Sequence, residues 1–444
     1  MATPDLRNDA VHERKLSTSS MPPAACATAQ QSPSTVSMWS IRAVPAQADS
    51  RMMGPANIGQ SMWNTVTLPL RAVGSVAKVP LRTALQGCKR PSWNTQFESC
   101  INLLRSVAKN APRHLPSLRR MTDVAIPSLL LPRGVLRATE TVTDGTQSVQ
   151  VEWIWPAALT PQLSAHWPSP FSTKVTADFK SSLEFSGMLC RGPVVLYLHG
   201  GAFCLCSPGT HRFLLAHLAL ELNAPICCPI YRRPPDVLHS VALADCGTGY
   251  GSLLQRGIDP GQICFMGDSA GGGLVLSLMC SLRDCGQPLP ATAVLISPWV
   301  DLSEFEAAMP TSSLVVNSYY DYLPLDLVQS FAHWTVGGGD PRDPSISPLF
   351  ADLSELPPTL VMGGGCEILC DQIKALGDLM HKSHPGSRTV IYEDMVHAFP
   401  IFLFCHQTAF RSLKDISAHV VVHCTADVKA VSPSPSSKEP AVLY

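Results

Sequence analysis

Few residues in this chain combine a reactive side chain with a telling spacing. In Cys264 to Leu278, "CFMGDSAGGGLVLSL", a lone serine, Ser269, stands between a short apolar run and a longer one. A run of strand length, a turn of small residues and a run of helix length frame Gly267-Asp268-Ser269-Ala270-Gly271, the G-x-S-x-G pattern of a nucleophile elbow. A sharp strand-to-helix turn pushes the serine clear of its own backbone. Glycines two before and two after leave room where a β-carbon would clash. A serine hydroxyl is a poor nucleophile near neutral pH, so a base must take its proton as it attacks a carbonyl carbon. His397, in "EDMVHAF", is the candidate base. It needs a carboxylate to fix its tautomer and balance the imidazolium that forms. Glu367, directly after Gly363-Gly364-Gly365, is the first choice. Asp371, one helical turn on, reads better as a brace at a helix start, and Asp394 ranks third. The tetrahedral oxyanion also needs donors, and the backbone N–H groups of "HGGAF" (His199 to Phe203) and of Ala270 are candidates.

The elements that must position these groups follow from the apolar pattern. "GVLRATETVT" and "QSVQVEWIWP" read as an antiparallel pair joined at Thr143-Asp144-Gly145. Residues 157–188 read as an inserted loop. Strands and helices then alternate: strand "PVVLYLHG", helix "HRFLLAHLALEL", strand "APICCPIY", helix "SVALADCGTGYGSLLQRG", strand "QICFMG", a helix from Gly271 and strand "ATAVLISPW". Strand "TLVMGG", helix "CDQIKALGDLMHKS" and strand "RTVIYED" follow. Strands apolar throughout and alternating with helices imply an α/β fold, its mostly parallel sheet buried on both faces. Ligands in such sheets lie at the carboxyl ends of strands, where Ser269, Glu367 and His397 all fall.

The bulk numbers set limits. A chain of 444 residues with 45% hydrophobic residues can bury a large core, and a net charge of −1 argues against a nucleic-acid partner. The 16 cysteines sit largely in apolar runs, which suits free thiols in a reduced, intracellular setting. Cys204 with Cys206, and Cys366 with Cys370, lack paired zinc spacing, so no metal is expected. The N-terminus has no apolar core of a secretory signal, and no apolar run reaches membrane-spanning length. The expected location is cytoplasmic or peripheral to an internal membrane. Residues 1–58 and the tail from 425 read as disordered.

From Ser61 to Arg120 the only acid is Glu98, against Arg71, Lys78, Arg82, Lys89, Arg90, Arg105, Lys109, Arg113, Arg119 and Arg120. Within it Phe97, Ile101, Leu104 and Val107 mark one helical face. One reading is a packing segment with solvated bases. The other is a cap that rests on an anionic lipid surface or shields a greasy substrate.

The segments "YLHGGAF", "YRRPPD…ALAD", "GIDPGQICFMGDSAGGGL", "ISPWVDLS", "DPSISPLFADLSELPPTLVMGGGCEILCD" and "MVHAF" span roughly residues 190–400. In that order and spacing the chain resembles the hormone-sensitive-lipase family of α/β hydrolases, which includes carboxylesterases and arylacetamide deacetylase-like enzymes. The resemblance implies a triad of Ser269, His397 and Glu367, and an oxyanion hole from Gly200, Gly201 or Ala202, and Ala270. It also implies a helical cap over 59–135, to which "RPSWN" (Arg90 to Asn94) belongs, on a catalytic domain of 136–424. Cleavage of short- to medium-chain acyl or lipid esters without a cofactor is the implied activity. The alternatives are a non-catalytic small-molecule receptor on the same scaffold, or a membrane-surface scaffold acting through 61–120. Two departures stand out. Ala202 replaces a glycine, and "RPPDVLHSV" replaces a Phe-Pro packing segment while Asp236 keeps the acid.

Overall fold

The architecture is that of a computed structural model that describes residues 78–124, 130–159, 192–306 and 309–424. The stretches expected to be disordered, 1–58 and 425–444, and residues 160–188 of the expected insertion lie outside the described residues.

Eight strands form one sheet: β1 (Val135–Thr143), β2 (Ser148–Pro156), β3 (Val194–Leu198), β4 (Ile226–Pro229), β5 (Ile263–Asp268), β6 (Thr292–Ile296), β7 (Thr359–Gly364) and β8 (Arg388–Tyr392). Their order is β1-β2-β4-β3-β5-β6-β7-β8. β1 and β2 pair antiparallel, β2 meets β4 antiparallel, and the remaining pairs are parallel. Strands β3 to β7 are buried along their whole length, whereas the edge strand β8 is exposed or half-buried. That contrast is why the central strands read as unbroken apolar runs.

Alternate residues of each central strand face two separate cores. Leu196, Phe265, Leu295 and Val361 pack on one face with α5 (His239–Gln255), α6 (Ala270–Asp284) and α9 (Cys370–Ser383). Tyr197, Met266, Val294 and Met362 pack on the other with α4 (Pro208–Leu222) and α10 (Gln407–His423). The sequence reading contains neither α10 nor α8 (Leu325–Val336). Their signals are present: Ala409, Leu413, Ile416 and Val420 bury one face of α10, and α8 runs from Pro324 to a left-handed Gly337.

Before the sheet come three helices, α1 (Val79–Gln86), α2 (Thr95–Lys109) and α3 (Leu115–Thr122), and the short α7 (Ser313–Val316) follows β6. Asn94 caps α2, its side chain accepting the Phe97 N–H at 2.7 Å. The apolar face of α2 divides in two. Phe97 and Ile101 sink into an aromatic cluster with Trp93, Phe399 and Phe402, while Leu104 and Val107 line a cavity. Phe97 meets the rings of Trp93 and Phe402 edge-on, at 5.2 and 5.5 Å.

Six of the nine described bases of this region pair with an acid, a carbonyl or an aromatic ring, while Lys78, Lys109 and Arg120 are exposed. Arg90 pairs with Asp394 at 2.7 Å and Arg113 with Asp326 at 2.5 Å, while Arg119 pairs with Asp236 and Arg82 with the buried Glu98. Arg105 donates to the Asp321 carbonyl at 2.7 Å, and Lys89 lies 4.1 Å from the Tyr319 ring centre. Most of these contacts are to acids and carbonyls after residue 200. The paired bases thus fasten the helices to the sheet domain. Among the described residues no helix is long and apolar enough to cross a membrane.

Phe97→Ala is expected to lower stability by about 3–5 kcal/mol, read as a lower midpoint in urea unfolding, because it empties the centre of this aromatic cluster.

Candidate active site

Ser269 lies between the end of β5 and the first residue of α6, with φ 53° and ψ −124°. This backbone conformation is unfavourable for a residue with a side chain, and the surroundings hold it there. A β-carbon on Gly271 would stand 2.0 Å from the Leu198 carbonyl oxygen, and one on Gly267 would stand 2.5 Å from the Gly271 oxygen. Both glycines are therefore required by close backbone approach. The turn is further pinned by the Ser269 N–H, which donates to the Ile296 carbonyl at 2.8 Å.

The Ser269 hydroxyl donates to His397 Nε2 at 2.8 Å. On the other side of the imidazole, Nδ1 lies 3.3 Å from Glu367 Oε2. That contact is close enough for charge pairing but is not aligned as a hydrogen bond. Ser269, His397 and Glu367 are all buried, and neither Glu367 oxygen has a hydrogen-bond donor among the described residues. Burial alone would depress the imidazolium. The Glu367 carboxylate, helped by Asp321 and Asp268, outweighs it and raises the His397 pKa above its ordinary value.

The other two acids are engaged elsewhere. Asp371 accepts the Ser313 N–H at 2.7 Å, so it braces α7 against the start of α9. Asp394 is the post on which "RPSWN" docks. It accepts from Arg90 at 2.7 Å and from the Ser92 N–H at 3.0 Å, and its carbonyl accepts the Trp93 indole N–H at 2.5 Å.

Of the backbone donors, Gly200 drops out. Its N–H is taken by Asp268 Oδ1 at 2.9 Å, and a β-carbon at Gly200 would collide with that carboxylate. Asp268 also accepts from Tyr197 at 2.8 Å and from His211 Nε2 at 3.2 Å. Burial alone would raise its pKa, but the His211 charge and these donors hold it down at about 2. The pair ties the residue before the serine to the loop after β3. Gly201 and Ala202 continue that loop with φ 119° and 52°, and both line the same cavity as Ser269. Ala270 opens α6, where first-turn N–H groups have no helical acceptor. His199 is not a second base. It stacks on Tyr231 at 4.3 Å, and burial holds its pKa at about 3.

Above Ser269 lies a cavity of about 380 Å³. Leu104, Val107 and Ala108 of α2, Leu118 and Met121 of α3, and Leu327, Val328 and Phe331 of α8 form much of its wall. Trp299, Tyr322 and Ile401 complete it near the serine and histidine. Every described cysteine is a free thiol, and the described residues hold no group of histidine, cysteine or acidic side chains arranged to bind a metal. A polarised hydroxyl, a basic imidazole and unpaired backbone N–H groups at one mouth of an apolar cavity are suited to acyl transfer.

The segment before α8 is absent from the sequence reading of the site. Asn317 donates to the carbonyls of Gly365 at 3.0 Å and Glu367 at 2.9 Å, and Ser313 donates to the Ile368 carbonyl at 2.8 Å. The spacing of Ser313, Asn317 and Asp321 at every fourth residue was the available signal, though polar residues at that interval commonly mark a solvated face.

A family model described as "alpha/beta hydrolase fold" matches residues 195–401. An acetyl-hydrolase of Streptomyces hygroscopicus is 38% identical over 215 residues, which cover 48% of this chain and 70% of that protein. Among solved structures, an esterase/lipase from an uncultured bacterium superposes with a TM-score of 0.60 at 25% identity, covering 75% of this chain and 99% of its own. An esterase from the bacterial hormone-sensitive lipase family gives 0.55 at 26% identity, covering 81% and 99%.

The raised His397 pKa sets a direction for pH dependence. The base must be neutral to accept a proton, so kcat/KM for an ester is expected to fall as pH drops, with its half-point above the ordinary histidine value of about 6.5. A pH–rate profile with a p-nitrophenyl ester reads this directly.

Proposed function

Because this chain belongs to the hormone-sensitive-lipase family of α/β hydrolases and is a carboxylic ester hydrolase, we propose that it cleaves short- to medium-chain acyl esters with Ser269 as nucleophile, His397 as base and Glu367 as the acid. One observation carries the assignment: the serine hydroxyl lies 2.8 Å from one imidazole nitrogen of His397, and the Glu367 carboxylate lies 3.3 Å from the other, beside an apolar cavity.

In this mechanism Ser269 Oγ attacks the ester carbonyl carbon while its proton passes to His397 Nε2. The imidazolium so formed faces Glu367, whose buried oxygens have no hydrogen-bond donor among the described residues. The carbonyl oxygen becomes an anion next to the N–H groups of Gly201 or Ala202 and of Ala270, each such donor lowering the barrier by about 3 kcal/mol. His397 then protonates the departing alcohol. Water attacks the acyl-serine, giving its proton to His397, and the carboxylic acid leaves as Ser269 recovers its hydrogen. A cavity of about 380 Å³ with a mostly aliphatic and aromatic wall favours an uncharged acyl chain of modest length.

Ser269→Ala is expected to abolish both hydrolysis of p-nitrophenyl butyrate and labelling by a fluorophosphonate probe. Glu367→Gln is expected to lower kcat by about 10³–10⁴-fold, whereas Asp371→Asn stays within about 3-fold of the parent because its carboxylate faces α7 rather than the imidazole. Equal losses in the two acid variants would overturn the assignment of Glu367.

A further inference from the structure

Asp321 is a buried carboxylate with no salt-bridge partner among the described residues. Its Oδ2 accepts the N–H of Ile368, the residue after Glu367, at 2.8 Å. Its Oδ1 accepts its neighbour Tyr322 N–H at 2.8 Å and faces the N–H of His397 itself at 3.4 Å. Its backbone carbonyl takes the Arg105 guanidinium of α2 at 2.7 Å. One residue therefore touches the loop that carries the acid, the loop that carries the base and the helix that walls the cavity.

We propose that Asp321 is a positioning residue for ester hydrolysis: it holds the Glu367 and His397 loops at the spacing that lets carboxylate meet imidazole, and its charge supports the imidazolium. This inference rests on the roles proposed above for Ser269, His397 and Glu367.

The electrostatic half of the argument comes from what surrounds the carboxylate. The charged and titratable groups facing it are His397 and Glu367 from the two loops, Arg105 from α2, its neighbour Tyr322, and Cys366 beside Glu367. Arg105 donates to the Asp321 backbone carbonyl, and among the described residues no lysine or arginine is hydrogen-bonded to the carboxylate oxygens. Burial pushes its pKa up to about 6, with His397 pulling the other way and Glu367 adding to the rise. A buried carboxylate whose oxygens no lysine or arginine touches is costly. Of the charges facing it, that of His397 offsets it most, and this charge forms each time His397 takes up a proton. An amide has a single accepting oxygen and could not receive backbone N–H donors on both sides, as Oδ1 and Oδ2 do here. The negative charge adds what an amide lacks, a field that favours protonated His397.

The test compares the full chain with Asp321→Asn and Asp321→Glu, measuring kcat and KM for p-nitrophenyl butyrate from roughly pH 5 to 9. Asp321→Asn is expected to lower kcat by about 10–100-fold with KM within about 2-fold, because loop spacing and not substrate contact is disturbed. Its acid limb is expected to move down by about 0.5–1 pH unit, since a carboxylate that favoured the imidazolium is gone. Asp321→Glu keeps the charge, so its limb should stay at the parent's position while kcat is reduced. An Asp321→Asn protein with parental kcat, or with lower kcat and an unmoved limb, overturns the proposal. Should Asp321→Asn not fold, Asp321→Glu decides alone: a displaced limb or a parental kcat overturns it. A parent chain that hydrolyses the ester but resists fluorophosphonate labelling removes the Ser269 reading and this inference together, whereas a labelled, active parent with indifferent variants removes only this one.

Discussion

The arrangement depends on one tight backbone crossing. Where β5 turns into α6, Gly271 passes so near Leu198 that a single added carbon would overlap the Leu198 carbonyl oxygen. That proximity forces Ser269 into a strained conformation, and the strain exposes its hydroxyl at the rim of the sheet. Both strands flanking β5 contribute to the crossing. Ile296 at the end of β6 receives the Ser269 N–H, and the loop after β3 is pinned to Asp268 through Gly200. Ser269 and the loop after β3 are thus tied to one another through buried hydrogen bonds that relative motion would break.

His397 and Glu367, the proposed base and acid, are held differently. Glu367 and His397 sit on loops after β7 and near β8, toward the sheet edge where burial is weaker. Their positions are set from outside the sheet, by Ser313, Asn317 and Asp321 on one side and by Arg90, Ser92 and Trp93 on the other. The same segments lead into α2 and α8, whose apolar residues wall the cavity. The wall and the proton-transfer pair therefore share their supports. Substrate enclosure and imidazole placement are mechanically joined.

Charge follows the same logic. A basic N-terminal region beside a near-neutral whole suggests attraction to something acidic outside the molecule. Here the acids are inside it: Asp236, Asp326 and Asp394 receive these arginines directly. Partly exposed pairs of this kind contribute only about 0–1 kcal/mol each, so they orient the helices more than they stabilise them. The apolar cluster around Phe97 supplies the larger share.

Much of this molecule is legible in the linear chain. The alternation of apolar strands with helices, the small-residue turn around Ser269 and the order serine, glutamate, histidine are local patterns, because steric limits on a sharp turn and burial on two sheet faces leave their mark at short range. Three matters were settled only by folding. Asp371 and Asp394 have the same chemistry as Glu367 and lie close to it or to His397 in sequence, and what separates them is which neighbour each one meets: a helix N–H, an arginine or the imidazole. The Gly200 N–H looks as available as that of Gly201 until Asp268 is found against it. Asp321, far from both loops in sequence, touches each of them in space. Such contacts join residues distant along the chain, and the energy of a buried charge is set by its three-dimensional surroundings, which no short window of sequence contains.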